Sequence, residues 1–427
     1  MSATDRPAIV VGGGIAGLVA ARRLALEGRE VVVLEAGDRL GGQLARHIVG
    51  GIELDAGAES FATRGGQVAA LATALGLGDD IVGPSPSPAW LYRADGSAVP
   101  LPKSSVLGIP GTPLAADVIA AIGTRAAMRA ELDAILPGFI GSRAVTLGEL
   151  VERRMGRGVL DGLVAPVVRG VHSTDPSDLP IDRAHPGLRA AMRRDVTLAA
   201  AVRGLRARAP AGSQVAGIRG GVVRLVVALA AELARFGVEV RTGARVVEVD
   251  ADGARLEGGE RVPGDVLIAA PGVTGQAEQG RRVTLVTLVV DAPELDAAPR
   301  GTGVLVAAGA GVAARALTHV TAKWPWVAET AGGRHVLRLS YDGTLDGGVR
   351  EIEARAVSDA TVLLGTPIAS LIDSAIVPWE RAAQRMHAVD GMQYVGESES
   401  GTGIAAVVAQ ADAVSGSRLG GDQEPQG

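Results

Sequence analysis

Ala8-Ile9-Val10-Val11-Gly12-Gly13-Gly14-Ile15-Ala16-Gly17 joins a short apolar run to a helical one through three consecutive glycines. Ala8 to Val11 has the length and composition of a buried strand, and Ile15 to Leu26 carries helical periodicity that stops at Gly28. Gly12, Gly14 and Gly17 fall on the G-x-G-x-x-G spacing, in the strand–turn–helix context that this spacing requires. Gly12 permits the tight turn, Gly14 the close approach of a diphosphate, and Gly17 the packing of helix on strand. The N–H groups around Gly13, Gly14, Ile15 and Ala16, with the positive end of the helix, then face the anion. A second apolar strand, Val31 to Leu34, leads to Glu35 and Ala36, where a carboxylate can accept hydrogen bonds from a ribose hydroxyl pair. A Gly-rich loop alone would mean little. Strand, helix, Gly28 and Glu35 together indicate a dinucleotide fold.

Composition narrows the chemistry. The chain has 427 residues, 47% hydrophobic and 21% charged, with a formal net charge of −5. Its length suggests two domains, and its charge gives no electrostatic case for nucleic-acid binding. No apolar run approaches the ~20 residues of a membrane helix, and no signal-peptide core follows Met1, so a cytoplasmic location is the expectation, with peripheral membrane association as an alternative. Cysteine is absent, which removes thiolate catalysis, iron–sulfur clusters and thioether-linked flavin. His47, His172, His185, His319, His335 and His387 are scattered, and no metal site is expected. With three Phe, four Trp and three Tyr, a flat ligand would rest mainly on aliphatic walls.

Further along, a helix is expected from Gly66 to Leu77, a Pro- and Ser-rich break of regular structure from Pro84 to Pro113, and helices over Leu114 to Leu136 and Leu147 to Leu163. Gly220-Gly221 opens an apolar helix to Phe236. Strands follow at Val238 to Arg241, Val246 to Val249, Val266 to Ala269 and Val283 to Val290, with more strands over 301–342 and a helix from Gly403 to Val414. The expected class is α/β: a Rossmann-like dinucleotide-binding domain with an inserted α+β substrate-binding domain. Its dinucleotide-binding segments are read as 6–64, 213–275 and 377–418. The substrate segments are 65–212 (helical) and 276–376 (sheet), and 419–427 is a disordered tail.

FAD and NAD share the first fingerprint, and the next segment separates them. Glu35-Ala36-Gly37-Asp38-Arg39-Leu40-Gly41-Gly42-Gln43 is followed by Asp55-Ala56-Gly57-Ala58-Glu59-Ser60. This combination resembles the flavin amine-oxidase superfamily, where the Arg-x-Gly-Gly element lies along the diphosphate and the second element approaches the flavin ring. Gly396-Glu397 and Gly401-Thr402-Gly403-Ile404 resemble its last flavin segment, where a helix N-terminus meets the pyrimidine edge. Val246 matches the position whose backbone meets adenine. The cofactor implied is FAD.

Within that superfamily the chain resembles the protoporphyrinogen/coproporphyrinogen oxidases. The resemblance rests on Gly57-Ala58-Glu59-Ser60-Phe61, Pro166-Val167-Val168-Arg169-Gly170-Val171-His172, Ala184-His185-Pro186-Gly187-Leu188 and Thr321-Ala322-Lys323-Trp324-Pro325, in matching order. It implies FAD- and O2-dependent oxidation of a porphyrinogen, coproporphyrinogen III by preference, in haem biosynthesis, with the next enzyme of that pathway as a candidate partner. Oligomeric state is not readable. The substrate carries propionates, which arginine suits. Arg64 is the first candidate contact, then Arg169, His172 and Lys323; no catalytic residue is nominated. Arg64 could equally be a solvated loop residue, His172 a satisfied core histidine, and Lys323 a cation–π partner of Trp324. The alternatives are protoporphyrinogen IX oxidation, another flavin amine oxidase or desaturase, and a flavin-binding porphyrin carrier without turnover. The stretches 271–283 and 379–391 are shorter than the resemblance implies, and Gln43 stands where relatives vary.

Overall fold

The computed structural model describes residues 6–172, 174–208, 214–270, 273, 281–380, 392–414 and 419. Most of 271–283, the stretch 381–391 and nearly all of the expected tail lie outside the described residues, as do the side chains of Val171 and His172.

Strand β1 (Ala8–Val11) is fully apolar and buried, helix α1 (Ile15–Leu26) follows it, and β2 (Val31–Leu34) lies parallel to β1. A five-stranded parallel sheet grows on both sides of them, in the order Glu239–Arg241, β2, β1, Asp265–Ile268, Gln393–Tyr394. Strands buried on both faces read as continuous apolar runs, which is why Ala8–Val11 and Val31–Leu34 show no alternation. One face is covered by α1 and the helices Arg224–Arg235 and Ile404–Asp412, through Leu18, Leu24, Leu229 and Val408. The other is covered by the antiparallel meander Val246–Asp250, Gly253–Leu256, Arg261–Pro263, through Val246, Ala254 and Val262.

The second body is a seven-stranded sheet. Its order is Ser370–Glu380, Arg282–Asp291, His335–Asp342, Ala316–His319, Gly303–Val306, Trp90–Tyr92, Ala98–Pro100. Two of those strands correct the sequence reading, for they fall in the Pro-rich stretch expected to lack regular structure. Leu91 is fully buried, and Asp95 turns the hairpin by accepting the Ser97 N–H at 3.0 Å. The stretch 301–342 is likewise not all strand: Val320–Lys323 and Pro325–Ala331 are helical, the latter with Pro at its first position, where its missing N–H costs nothing. The helix Val349–Leu364, which covers this sheet through Ala356, Ala360 and Leu363, was not read from the sequence. Leu114–Leu136 is broken at Gly123, whose φ of +81° ends one helix and starts the next.

A helical layer with its own core, including Leu147, Leu150, Leu188 and Val202, sits beside this sheet. At its centre Arg154 (0% exposed) pairs with Asp133 (1%) at 2.5 Å. Arg154 also donates to the carbonyl oxygens of Asp133 and Pro137, both at 3.0 Å, and Asp133 accepts the Ala199 N–H at 2.8 Å. The pair ties Leu147–Met155 and Leu198–Arg208 to the segment 132–137, which precedes both. Removing one partner strands a buried charge. Arg154→Ala is expected to lose about 3–5 kcal/mol of unfolding free energy in urea, whereas the double change Arg154→Met/Asp133→Leu should lose clearly less.

Candidate functional site

The first glycines have no room for side chains on the side facing the sheet. Gly12 adopts φ +111°, and a Cβ there would stand 2.9 Å from Ala270 Cβ; a Cβ on Gly17 would overlap the carbonyl oxygen of Gly12. Helix α1 is therefore held against the turn. Gly14 caps it without a side-chain bond, no acidic residue lies in the first turn, and a Cβ on Gly14 would meet nothing within 4 Å. The first-turn N–H groups have no intrahelical acceptor, so the open approach over Gly14 leads to donors at the positive end of the helix dipole. Gly41 donates to the Gly13 carbonyl at 2.8 Å and Arg39 reaches the Gly42 carbonyl at 3.0 Å, which folds the Arg39-Leu40-Gly41-Gly42 loop against Gly14.

Glu35 is fixed by two backbone donors, Gly13 and Gly37, each at 2.7 Å. A carboxylate keeps further lone pairs, enough for a hydroxyl pair. Beside it opens a cleft whose lining includes Gly12, Glu35, Ala36, Ala244 and Val246. Val246, from the meander, thus shares one aliphatic cleft with Glu35 and Ala36. These features fit an adenosine diphosphate: open donors over Gly14 for a diphosphate, a pinned carboxylate for a ribose, an apolar slot for a base. At the far end, Gln43 Nε2 lies 3.4 Å from Glu397 Oε2, Gly396 packs beside Ala16, and Gly403 (φ +105°) caps Ile404–Asp412 after Thr402. The first and last glycine elements meet.

The element Gly57-Ala58-Glu59-Ser60 carries the main polar network. Glu59 (side chain 14% exposed) accepts from Lys323 Nζ at 2.7 Å, Trp324 Nε1 at 3.1 Å and Arg338 Nη1 at 3.1 Å. Arg338 (7% exposed) also donates to the carbonyl oxygens of Gly57, at 3.0 Å, and Asp55. Burial pushes the Glu59 carboxyl up, but Lys323 and Arg338 outweigh it and bring the pKa down to about 2. Asp55 goes the other way. Burial lifts it to about 6 although it accepts the Val222 and Val223 N–H groups at 2.9 and 3.1 Å. Gly57, read as admitting a flat ligand, admits the indole of Trp379, whose ring fills the place a Cβ would take.

Other candidates are dispersed. Lys323 is committed to Glu59 and also lies 5.1 Å from the Trp324 ring centroid. Arg169 is tied to Asp175, its Nε at 3.1 Å. His172 ends the helix Ala165–His172, with its side chain outside the described residues. Arg64 lies exposed beyond the strand Phe61–Ala62. Sequence reading missed Arg338 and Trp379. An arginine inside the apolar run Val336-Leu337-Arg338-Leu339 was the available signal, since a buried charge needs a partner.

A model of the flavin containing amine oxidoreductase family matches residues 15–287, more than half of the chain. Coproporphyrinogen III oxidase of Mycobacterium leprae (strain TN) is 29% identical over 422 residues, covering 92% of this chain and 89% of that protein. The enzyme of the same name from Propionibacterium freudenreichii subsp. freudenreichii is 26% identical over 318 residues; the match covers 65% of this chain and spans 60% of that protein's length. A crystal structure from Exiguobacterium sp. 255-15, assigned as a protoporphyrinogen oxidase, superposes with a TM-score of 0.78 at 22% identity over 96% of this chain and 97% of that one. At that identity the likeness is one of fold.

The Glu59 network predicts a pH signature. Its folded pKa, about 2, lies below the ordinary 4.5, so its contribution is complete above pH 4.5 and fades as the pH falls toward 2. Glu59→Gln should therefore be less stable than wild type at pH 7, with the deficit shrinking on acidification through that window. Urea titrations at several pH values measure this, and a deficit independent of pH would refute the assignment.

Proposed function

The chain belongs to the flavin containing amine oxidoreductase family, and from that premise we propose that it is an FAD-dependent oxidase converting coproporphyrinogen III to coproporphyrin III in haem biosynthesis. The observation that carries the substrate is the match, along 92% of this chain, to a coproporphyrinogen III oxidase. The cleft supports the cofactor. The turn Gly12–Gly17, closed by Arg39 to Gln43, would hold the diphosphate, with Glu35 on the ribose and Ala36 and Val246 at the adenine. Ala58, Glu59, Ser60, Glu397 and the start of the helix at Thr402, Gly403 and Ile404 would border the ring.

FAD, when bound, takes up the hydrogen removed from the substrate and passes it to O2, giving one peroxide for each two-electron step. Porphyrinogen to porphyrin is a six-electron change, so three O2 give three H2O2. This chain's residues bind, orient and exclude water. Glu59 is kept ionised by Lys323 and Arg338 and makes the wall beside Gly57 rigid. Because Lys323 is already neutralised by Glu59 and Arg169 by Asp175, Arg64 is the stronger carboxylate contact among the four candidates. A cytoplasmic protein handing its product to the next enzyme of the pathway is the matching cellular setting; no helix among the described residues is long and apolar enough to cross a membrane.

Purified, FAD-loaded protein should oxidise coproporphyrinogen III aerobically, with porphyrin fluorescence rising above the autoxidation blank and three peroxides formed per porphyrin. Protoporphyrinogen IX is run in parallel, and a faster rate with it would reassign the substrate. A flat trace from fully flavinated protein that still binds porphyrin would favour a carrier and sink the oxidase.

A further inference from the structure

We propose that Arg183, with Arg64 and His185, forms a carboxylate-binding site beside the start of the helix Ile404–Asp412. The inference rests on the reading above and deepens it by locating a contact to the anionic side chain of the macrocycle.

Arg183 lies in the short helix Ile181–Ala184, and its Nη1 is buried with no hydrogen-bond partner. Arg29 and Arg300 also have a buried Nε without a partner, but Arg29 pairs with Asp265 at 2.7 Å and Arg300 lies 4.7 Å from the Trp90 ring centroid, while Arg154 and Arg338 pair with Asp133 and Glu59 at 2.5 and 3.1 Å. A buried donor of a charged group left unsatisfied is destabilising, so the fold tolerates one mainly where a ligand completes it.

Its surroundings supply further donors. Arg183 Cδ lies 4.0 Å from where a Cβ on Gly401 would stand, which sets the side chain next to Gly401-Thr402-Gly403. The strand Phe61–Ala62 packs on the helix that these residues open, and Arg64 follows that strand. Among the described residues neither arginine has a carboxylate within ion-pair distance. His185 Nδ1 accepts the Gly187 N–H at 3.2 Å, so the neutral ring carries its proton on Nε2 and presents a donor. Burial first, and then the charge of Arg64, hold the His185 pKa below the ordinary histidine value, which favours the neutral ring. Two guanidinium groups and an imidazole N–H, with no acid among them, are the complement of a carboxylate.

The same donors could instead serve the anionic oxygen edge of a reduced flavin, and the test separates the two. FAD-loaded wild type, Arg183→Gln, Arg183→Lys and Arg64→Gln are titrated with coproporphyrin III and with its methyl ester, following flavin and porphyrin absorbance, and each protein's flavin midpoint potential is measured. Arg183→Gln should weaken coproporphyrin III binding roughly 10- to 100-fold, with the ester and the potential unchanged. Arg64→Gln, an exposed change that leaves folding intact, should act in the same direction, and Arg183→Lys should recover part of the loss. Unchanged coproporphyrin III binding in both Gln variants overturns the site, as does a shifted potential with porphyrin binding intact, which gives Arg183 to the cofactor. If wild type oxidises the porphyrinogen and the Gln variants bind its product normally, only this inference fails. If wild type neither binds nor oxidises, the enzyme reading fails and takes the site with it.

Discussion

The contact between the seven-stranded sheet and the segment 55–60 hangs on the guanidinium of Arg338. It rises from an interior strand of that sheet and donates to Glu59 and to the carbonyl oxygens of Gly57 and Asp55. A planar cation with a fixed fork can address acceptors spread along its edge, where a lysine would bring three donors on a single nitrogen. The two bodies are thereby joined through a charge neither can solvate alone. Glu59 answers with a carboxylate shared by Arg338 and Lys323, so the loop can leave its place only by exposing three buried charges.

That arrangement also explains why two acids a few residues apart are driven in opposite directions. Asp55 receives backbone donors but is dominated by burial, and it is raised to about 6. Glu59 receives two full positive charges and is lowered to about 2. One acid can take up a proton near pH 6 while its neighbour stays ionised there, and both residues touch the same arginine.

The dinucleotide half of the fold was legible because its constraints are local. Gly12, Gly14, Gly17 and Glu35 act within one strand–turn–helix unit, and their spacing alone reports the geometry. Val246 could be placed only through resemblance, since it reaches the cleft from a meander far along the chain. The second body was harder. Trp90-Leu91-Tyr92 makes a strand only because Gly303–Val306 lies beside it, and no local pattern announces that parallel partner. Arg338 was invisible as a site residue for the same reason: its acceptors are backbone carbonyls nearly three hundred residues away in sequence. Lys323 was singled out as a candidate substrate contact, whereas its ion pair with Glu59 is a property of the folded chain.

The strand order of the parallel sheet bears on how such a chain is made. β1 sits between β2, which follows it at once, and Asp265–Ile268, and the last strand, Gln393–Tyr394, pairs on the outer side of that neighbour. During synthesis both outer edges of the first two strands stay open until Glu239–Arg241 and then Asp265–Ile268 have emerged, and the sheet is complete only with Gln393–Tyr394. Open apolar edges of this kind invite pairing with other nascent chains. Vectorial folding thus favours early formation of α1 over β1 and β2, which covers one face of the pair while its edges are still open.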